Sequence, residues 1–284
     1  MLPNFFPDAL GGARSGPALS SLYRVEIYKP ADLSAVHWTA RILATILLCF
    51  ALFAIWPEID LRFSGLFYDP SAGFLIEGHP LTEALRLAVW NLGILLCLAA
   101  AICIVLGAAG YNVVLSIRAW GFILLLYGLA PGLMVEMLTK PIWGRARPAQ
   151  ITEFGGNLPF SPPNEMVDFC TRNCTFVSGE VSGATVTGLA LLLLLFHLKP
   201  RLHKILWFLL LTTALCLPVA IALQRIAAGR HFLSDSLFAV LFTLLMALGL
   251  VRFLRCLPHP MRWLRPRQDA LATALGHVAK TGQE

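Results

Sequence analysis

Six apolar stretches, each long enough to cross a lipid bilayer as a helix, dominate this chain. A transmembrane helix needs about 20 predominantly apolar residues, and the sequence contains such windows at 38–56, 87–109, 117–138, 180–198, 204–223 and 233–254. The composition agrees, since 57% of the 284 residues are hydrophobic and only 13% are charged. We therefore predict an all-α polytopic membrane protein whose six transmembrane helices form one bundle.

The predicted spans divide the chain into three parts. Residues 1–37 form a polar N-terminal lead, 38–254 the membrane domain, and 255–284 a basic tail. The first residues lack a basic head followed by an apolar core, so we expect the first span to remain as an anchor rather than to be cleaved as a signal peptide.

The basic residues predict the orientation of the bundle. The chain carries a net charge of +6, and most of its Lys and Arg residues fall on one side of the membrane if both termini are cytoplasmic. The two sides of the membrane thus explain where the basic residues lie, so the net charge does not indicate a nucleic-acid partner. No protein partner is predicted. Segments 57–86, 139–179 and 224–232 then lie on the exterior side.

A cluster of basic residues follows the third span on the predicted exterior side, where the positive-inside tendency disfavours them. Lys140, Arg145 and Arg147 lie within eight positions, where they would suit an anionic headgroup or a phosphate. The alternative is that they snorkel at the end of a helix. Glu136 precedes Lys140 by four positions, which favours an ion pair along one helix face.

The fourth span begins with the sequence FVSGE, which has the features of an anion site. A helix N-terminus offers free backbone N–H groups, Gly179 permits close approach of a ligand, and Ser178 adds a hydroxyl. The alternative is an ordinary N-cap, in which Ser178 caps the helix and Glu180 complements the helix dipole.

The loop between the fifth and sixth spans contains a histidine and an aspartate four positions apart. If the sixth helix has begun by His231, Asp235 shares its face and can accept the imidazole N–H. The other ring nitrogen would then be available as a nucleophile or base. A structural hydrogen bond is the alternative.

Together these stretches resemble the type-2 phosphatidic acid phosphatase family, the lipid phosphate phosphatases, which share their site with vanadium-dependent haloperoxidases. Lys140 to Arg147-Pro148 matches K-x6-R-P, Ser178-Gly179 matches the centre of P-S-G-H, and Arg225, His231 and Asp235 match S-R-x5-H-x3-D. The resemblance covers roughly residues 117–254, and three motifs in the right order are more specific than any one alone.

The resemblance implies a role for each matched residue. The phosphate oxygens would be bound by Lys140, Arg147, Arg225, Ser178 and the Gly179 amide. His231 would attack phosphorus and form a phosphohistidine, Asp235 would orient it, and neither metal nor cofactor would take part.

Three positions depart from the family pattern. Val177 replaces a proline, Gln224 replaces a serine, and Glu180 stands where the family has the histidine that protonates the leaving oxygen. We hypothesise that Glu180 takes over as general acid, with water or Arg145 as the alternative.

The expected partner is a phosphorylated membrane lipid, because the predicted site lies at the level of the headgroups. Candidate substrates are the phosphates of lipid A, phosphatidylglycerophosphate, phosphatidic acid and undecaprenyl diphosphate, and we favour lipid A. The expected location is the bacterial inner membrane, with the site facing the periplasm. The alternatives are a phosphotransferase with a polyprenyl phosphate donor and a non-catalytic lipid-binding or transport relative.

Two further features belong to the exterior segments. Cys170 and Cys174 precede the predicted phosphate site, and the oxidising exterior compartment permits either a disulfide or two free thiols there. Segment 57–86 mixes acidic and aromatic residues, which is typical of an interfacial connector.

Overall fold

The structure is a computed structural model that describes residues 33–111, 113–171 and 173–256. Almost all of the predicted polar lead and basic tail lie outside these ranges. Within them the α-helices are α1 (Leu33–Ile55), α2 (Glu58–Gly65), α3 (Pro80–Ala108), α4 (Ile117–Tyr127), α5 (Lys140–Trp143), α6 (Gly179–Leu198), α7 (Lys204–Ala227) and α8 (Leu233–Cys256).

Six helical segments of the described chain are long and apolar enough to cross a membrane, which confirms the predicted architecture. They are Val36–Ile55, Pro80–Ala108, Ile117–Gln150, Gly179–Arg201, Lys204–Ala227 and Leu233–Leu254. The second span begins several residues before the predicted window, so its first turns include Glu83 and Arg86. The two charged side chains therefore belong to a membrane helix, where polar groups need partners.

The third span is irregular along its length. Helix α4 runs into a π-helix, Gly128–Thr139, which contains Pro131 and leads directly into α5. Proline lacks a backbone N–H and clashes with the preceding turn, so it disfavours regular α-helical hydrogen bonding. Wide helical turns of this kind are frequent at functional sites. This one delivers Lys140 to the end of the bundle that carries segments 57–86 and 224–232, named the exterior end after its predicted side.

Helix α6 is the centre of the bundle. Half of its most apolar window is buried inside the protein, compared with 11% for the spans formed by α1 and α7. It packs against α7, α3, α8 and the π-helix. Its buried positions are mostly small, including Ser182, Ala184, Thr185 and Gly188, and small residues let membrane helices approach closely.

The exterior segments fold together over one end of the bundle. A short antiparallel hairpin pairs Tyr68–Asp69 with Gly73–Phe74, and 3-10 turns occupy Pro148–Gln150 and Thr152–Phe154. They share a cluster of buried apolar residues: Phe74, Ala146, Ile151, Phe154 and Phe232. Asp60 and Phe74 are buried, so the predicted interfacial connector 57–86 also packs into the protein.

Candidate active site

Most of the predicted site residues line one cavity of about 730 Å³ at the exterior end of the bundle. The polar part of its wall consists of Arg86, Glu136, Lys140, Arg147, Glu180, Arg225 and His231, with Gly179 and Asn173 beside them. The cavity continues between α3, the third span and α6, where its wall is mainly apolar. Ser178 and Asp235 lie behind this wall and are fully buried.

Lys140 and Arg147 reach the cavity from the end of the third span. Lys140 pairs with Glu136 at 2.5 Å, which confirms the predicted ion pair. The chain then turns at Gly144, whose φ of 54° lies in the left-handed region that favours glycine. Beyond this turn, Arg147 donates from Nε and from a terminal nitrogen to the carbonyl oxygen of Asn173, at 3.1 and 2.8 Å.

The N-terminus of α6 forms a second wall of the cavity. Ser178 is its N-cap, and the Ser178 hydroxyl accepts from the Val181 N–H at 3.4 Å. A β-carbon on Gly179 would lie only 2.8 Å from Oε1 of Glu136, so the close approach of Glu136 to the helix requires glycine. The structure confirms that Ser178 caps the helix, as one interpretation predicted, and it places Gly179 in the wall of the cavity.

Arg225 and Glu180 belong to a charged network that the sequence did not reveal. Glu180 contacts Arg86 at 3.0 Å and Nε of Arg225 at 2.7 Å, although the second pair lacks hydrogen-bond geometry. Glu83 pairs with Arg86 at 2.6 Å and lies 3.7 Å from Arg225. The amide of Gln224 also donates to Glu83 at 3.4 Å. The network ties together the exterior ends of α3, α6 and α7.

His231 is 4% exposed and its ring orientation is fixed by hydrogen bonding. Nδ1 lies 2.9 Å from the carbonyl oxygen of Thr175, which can only accept, so Nδ1 carries the proton. Burial lowers the pKa of His231 well below its ordinary value of 6.5, and the charges of Arg225, Arg147 and Lys140 lower it further. The ring is thus neutral at neutral pH, with Nε2 unprotonated.

The predicted direct hydrogen bond from His231 to Asp235 was wrong. Nδ1 is 3.9 Å from the nearer carboxylate oxygen, which is within ion-pair distance but too long for a hydrogen bond. The physical reason is that α8 begins at Leu233, after the histidine, so the two residues do not share a helix face. Thr175 lies between them and accepts the imidazole proton instead.

The suggestion that Arg145 serves the leaving group was also wrong. Arg145 is completely buried, does not line the cavity, and directs its guanidinium group into the protein. It donates to Asp235 at 2.7 Å and to Asp60 at 2.8 Å. Among the three cations of the exterior cluster, only Lys140 and Arg147 therefore face the cavity.

Cys170 and Cys174 form a disulfide, with their Cα atoms 5.5 Å apart. The sequence permitted either a disulfide or two free thiols here, and the structure has the disulfide. Asn173 lies inside the closed loop and presents its carbonyl oxygen to Arg147 and its side-chain oxygen to Lys140, the latter at 3.4 Å. The disulfide loop is thus part of the wall around the two cations.

For five residues around the site, no role was predicted from the sequence: Asp60, Glu83, Arg86, Asn173 and Thr175. A signal existed for Arg86, because a cation at the edge of an apolar window, three positions after an acid, indicates a paired charge inside the membrane helix. For Asp60 and Thr175 no local pattern indicates the pairing, since their partners are distant in sequence.

These features define a class of protein. Cations, a helix N-terminus and a neutral histidine surround one cavity in a membrane bundle, and such a site suits an enzyme that acts on an anionic group. Among the described residues, no cluster of three or more His, Cys, Asp and Glu side chains could hold a metal ion.

Comparison with known proteins identifies the family. Residues 120–256 match the PAP2 superfamily. The chain is 29% identical over 214 residues to a Lipid A 4'-phosphatase of Francisella tularensis subsp. novicida, covering 71% of this chain and 90% of the relative. It is 31% identical over 202 residues to a Lipid A 4'-phosphatase of Rhizobium etli, covering 65% of this chain and 75% of the relative.

A solved structure supports the same fold. The crystal structure of a transmembrane PAP2 type phosphatidylglycerolphosphate phosphatase from Bacillus subtilis superposes with a TM-score of 0.50 at 20% identity, over 78% of this chain and 98% of that chain. The chain belongs to the PAP2 superfamily, as its motifs predicted, and is a membrane lipid phosphatase.

Proposed function

We propose that this phosphatase removes a phosphate from lipid A through a phosphohistidine intermediate, at the periplasmic face of the bacterial inner membrane. The observation that carries the proposal is the convergence of Lys140, Arg147, Arg225 and His231 on one cavity. These residues come from three separate parts of the chain, and together they place three cations around one neutral histidine.

The shape of the cavity supports a lipid substrate. On α3 the lining runs from Arg86 to Ala101, which at 1.5 Å per residue is a depth of roughly 22 Å. Charged groups line the headgroup end, and Val89, Ile94 and Leu98 line the wall beyond it. A ligand that fits both ends has an anionic head and an apolar chain, and a membrane lipid can enter from the side of the bundle.

The choice of lipid A rests on the relatives. The two described above, and a third from Rhizobium leguminosarum at 29% identity, are named Lipid A 4'-phosphatase. The alternative substrates are phosphatidylglycerophosphate, phosphatidic acid and undecaprenyl diphosphate, which present the same phosphate chemistry to the cations.

The proposed reaction proceeds in two steps. The Nε2 lone pair of His231 forms a bond to phosphorus and the bond from phosphorus to the lipid oxygen breaks. That oxygen takes a proton from water, or from Glu180 if this residue acts as general acid. Water then attacks the phosphohistidine, giving inorganic phosphate and regenerating the imidazole. Lys140, Arg147, Arg225 and the Gly179 amide would stabilise the charge that spreads over the phosphoryl oxygens in both transition states.

Two roles for Glu180 are compatible with its position in the cavity. As general acid it would protonate the leaving oxygen, as the resemblance suggested. Its contacts favour the other role, because a carboxylate paired with both Arg86 and Arg225 holds these cations beside the phosphate. We propose that orienting Arg225 is its main contribution and that proton transfer is the alternative.

Two observations support the periplasmic face. Arg118, Lys199, Arg201 and Lys204 lie at or near the ends of their spans, at the opposite end of the bundle, as the positive-inside rule expects of a cytoplasmic side. The disulfide between Cys170 and Cys174 lies beside the cavity, and disulfides persist in oxidising compartments such as the periplasm.

The test uses purified protein in detergent micelles with each of the four lipid phosphates. Mass spectrometry of the products and an assay for inorganic phosphate identify the substrate, with the His231→Ala variant as control. We expect dephosphorylated lipid A and free phosphate from the wild type alone. Transfer of phosphate to a second lipid without release would identify a phosphotransferase, and equal activity of His231→Ala would refute the phosphohistidine.

A further inference from the structure

A chain of buried hydrogen bonds runs from His231 away from the cavity. Nδ1 of His231 lies 2.9 Å from the carbonyl oxygen of Thr175 and 3.1 Å from its hydroxyl. The same hydroxyl donates to Oδ2 of Asp235 at 2.5 Å. Thr175 is completely buried. The carboxylate therefore acts on the imidazole through this threonine.

The chain continues on the far side of Asp235. Its Oδ1 accepts from Arg145 at 2.7 Å, and the other terminal nitrogen of Arg145 donates to Asp60 at 2.8 Å. Asp60 also accepts from the backbone and the hydroxyl of Ser234, at 2.9 and 2.5 Å. None of Asp60, Arg145, Ser234 and Asp235 is exposed to solvent.

Aromatic rings hold the guanidinium group of Arg145 in place. Its central carbon lies 4.2 Å from the ring centre of Phe232 and 5.5 Å from that of Phe160, within the range of cation–π attraction. A buried ion pair is costly unless its geometry satisfies nearly every donor and acceptor. Here both carboxylates and the arginine are fully engaged, so the arrangement has little freedom to change.

We propose that Thr175, Arg145 and Asp60 are positioning residues for the nucleophile, together with Asp235. This inference rests on the proposed role of His231 in forming a phosphohistidine. Thr175 holds the proton on Nδ1, which leaves the Nε2 lone pair for attack. Asp60 and Arg145 hold Asp235, and Asp235 holds the hydroxyl of Thr175.

The chemistry gives these contacts a task during the reaction. When Nε2 bonds to phosphorus while Nδ1 keeps its proton, the ring becomes positively charged. The Thr175 carbonyl oxygen accepts the proton of that charged ring, and Asp235 lies 3.9 Å away. The Thr175 carbonyl and Asp235 therefore stabilise the charged ring of the intermediate more than the neutral ring of the free enzyme. A contact speeds a reaction only if it is stronger while this charge develops than it is before the reaction.

The positions of the residues predict which kinetic parameter they affect. Thr175, Arg145 and Asp60 do not line the cavity, so a bound lipid does not contact them. Changes there should alter kcat and leave KM nearly constant. Asp60 belongs to α2 in the first exterior segment, so that segment also contributes to the catalytic geometry.

The first test compares variants of Thr175. Thr175→Val keeps the shape and the carbonyl oxygen but removes the hydroxyl, and we expect kcat to fall roughly 10- to 100-fold, as for other residues that orient a reacting group. KM should stay within about twofold, and Thr175→Ser should recover most of the activity because it restores the hydroxyl. Thr185→Val is the matched control, since that buried hydroxyl donates only to Val181 of its own helix.

The second test compares Asp60→Asn with Asp69→Asn, an exposed aspartate in the same exterior segment. Only Asp60→Asn should lower kcat, and ¹⁵N NMR of labelled histidine, assigned with His231→Ala, should show that the Nδ1–H form of His231 is no longer fixed. In the wild type this form should predominate.

The outcomes separate the two proposals. A Thr175→Val enzyme with wild-type kcat, or an equal loss in Thr175→Val and Thr175→Ser, would overturn the positioning role while leaving the phosphohistidine intact. A wild-type enzyme from which no acid-labile phosphohistidine can be trapped would refute the proposed function instead.

Discussion

Oε2 of Glu180 lies 2.7 Å from Nε of Arg225, while its other carboxylate oxygen lies 3.0 Å from Arg86. The two arginines come from different helices, and their charges would repel one another without the carboxylate between them. Since Glu180 lines the same cavity as Lys140, Arg147 and Arg225, its carboxylate offsets part of their positive charge.

The Glu180→Gln variant distinguishes the two roles of this residue. If Glu180 orients Arg225, the amide keeps the hydrogen bond from Arg86 but loses the charge that attracts Arg225. We then expect KM to rise by roughly three- to tenfold with kcat within a factor of about three. Kinetics across a pH series provide the measurement, with Glu165→Gln in the exterior loop as control. A fall in turnover by roughly two orders of magnitude or more, together with loss of the basic limb of the pH profile, would favour proton donation.

The low pKa of His231 predicts where activity is lost in acid. In the proposed mechanism the neutral ring is the nucleophile. Because the pKa of His231 lies well below 6.5, the acid limb of kcat/KM should also lie below that pH. Lys140 is one of the cations that lower the pKa. Lys140→Met should therefore move the acid limb to higher pH.

The same variant should lower kcat/KM at its optimum by about 30- to 1,000-fold, on the order of 2–4 kcal/mol for a lost oxyanion contact. The measurement is a pH profile with the lipid substrate. Lys204→Met, at the opposite end of the bundle, controls for the loss of a surface charge. An acid limb that stays in place or moves to lower pH would contradict the charge argument.

If Lys140 binds the phosphate, as we propose, Glu136 competes with the substrate for this cation. It pairs with Lys140, and its Oε1 lies against Gly179 at the start of α6. An incoming phosphate must therefore displace a like charge. We expect Glu136→Gln to lower the vanadate concentration for half-inhibition by roughly two- to fivefold. This range corresponds to the strength of an ion pair whose acidic partner is about half exposed to solvent.

Vanadate inhibition curves at fixed substrate check this, with Glu153→Gln as the matched exterior control. Weaker inhibition in Glu136→Gln would mean that the acid mainly holds Lys140 in position for the anion.

The membrane architecture could be predicted because it depends on a local quantity. A span needs only a sufficient length of apolar residues, and the six predicted windows all correspond to helices. The meeting of Lys140, Arg147, Gly179, Arg225 and His231 could also be predicted, since these residues stand at span ends that the topology brings to one side.

The unpredicted parts depend on tertiary packing. Arg145 and Asp60 are 85 positions apart, and nothing near either residue indicates that they pair. The start of α8 at Leu233 decides whether His231 can reach Asp235 directly, and helix boundaries are the least certain part of a sequence prediction. The π-helix likewise shifts the end of the third span beyond its predicted limit.

The disulfide loop should contribute to substrate binding. Cys170 and Cys174 enclose Asn173, whose carbonyl oxygen accepts two hydrogen bonds from Arg147. Replacing both cysteines by serine frees this loop, and we expect KM to rise roughly three- to tenfold, part of the value of a hydrogen bond to a charged group. Treatment of the wild type with a reductant should have the same effect.

The control for that experiment is Cys216→Ser, which alters an exposed free cysteine on α7. An unchanged KM in the double serine variant would show that Arg147 keeps its orientation without the bridge.

A larger side chain at Gly183, in the apolar part of the cavity, should affect long-chain substrates more than short ones. This glycine lines the cavity, and a β-carbon there would meet no atom within 4 Å. A leucine side chain would therefore start in open space and extend into the part of the cavity proposed for the lipid. We expect Gly183→Leu to lower the rate with a long-chain lipid phosphate by roughly tenfold or more, because the side chain and the acyl chain exclude each other. The rate with a short soluble phosphate ester should stay within about twofold of the wild type.

Paired assays with the two substrates measure this selectivity, and Gly249→Leu serves as the matched control because Gly249 on α8 is also unobstructed but does not line the cavity. Equal losses with both substrates would indicate that Gly183→Leu disturbs the phosphate site itself. Equal rates with both substrates would mean that the acyl chain takes another path. Only the selective loss supports the interpretation that the lipid lies between α3, the third span and α6 while its phosphate reaches His231.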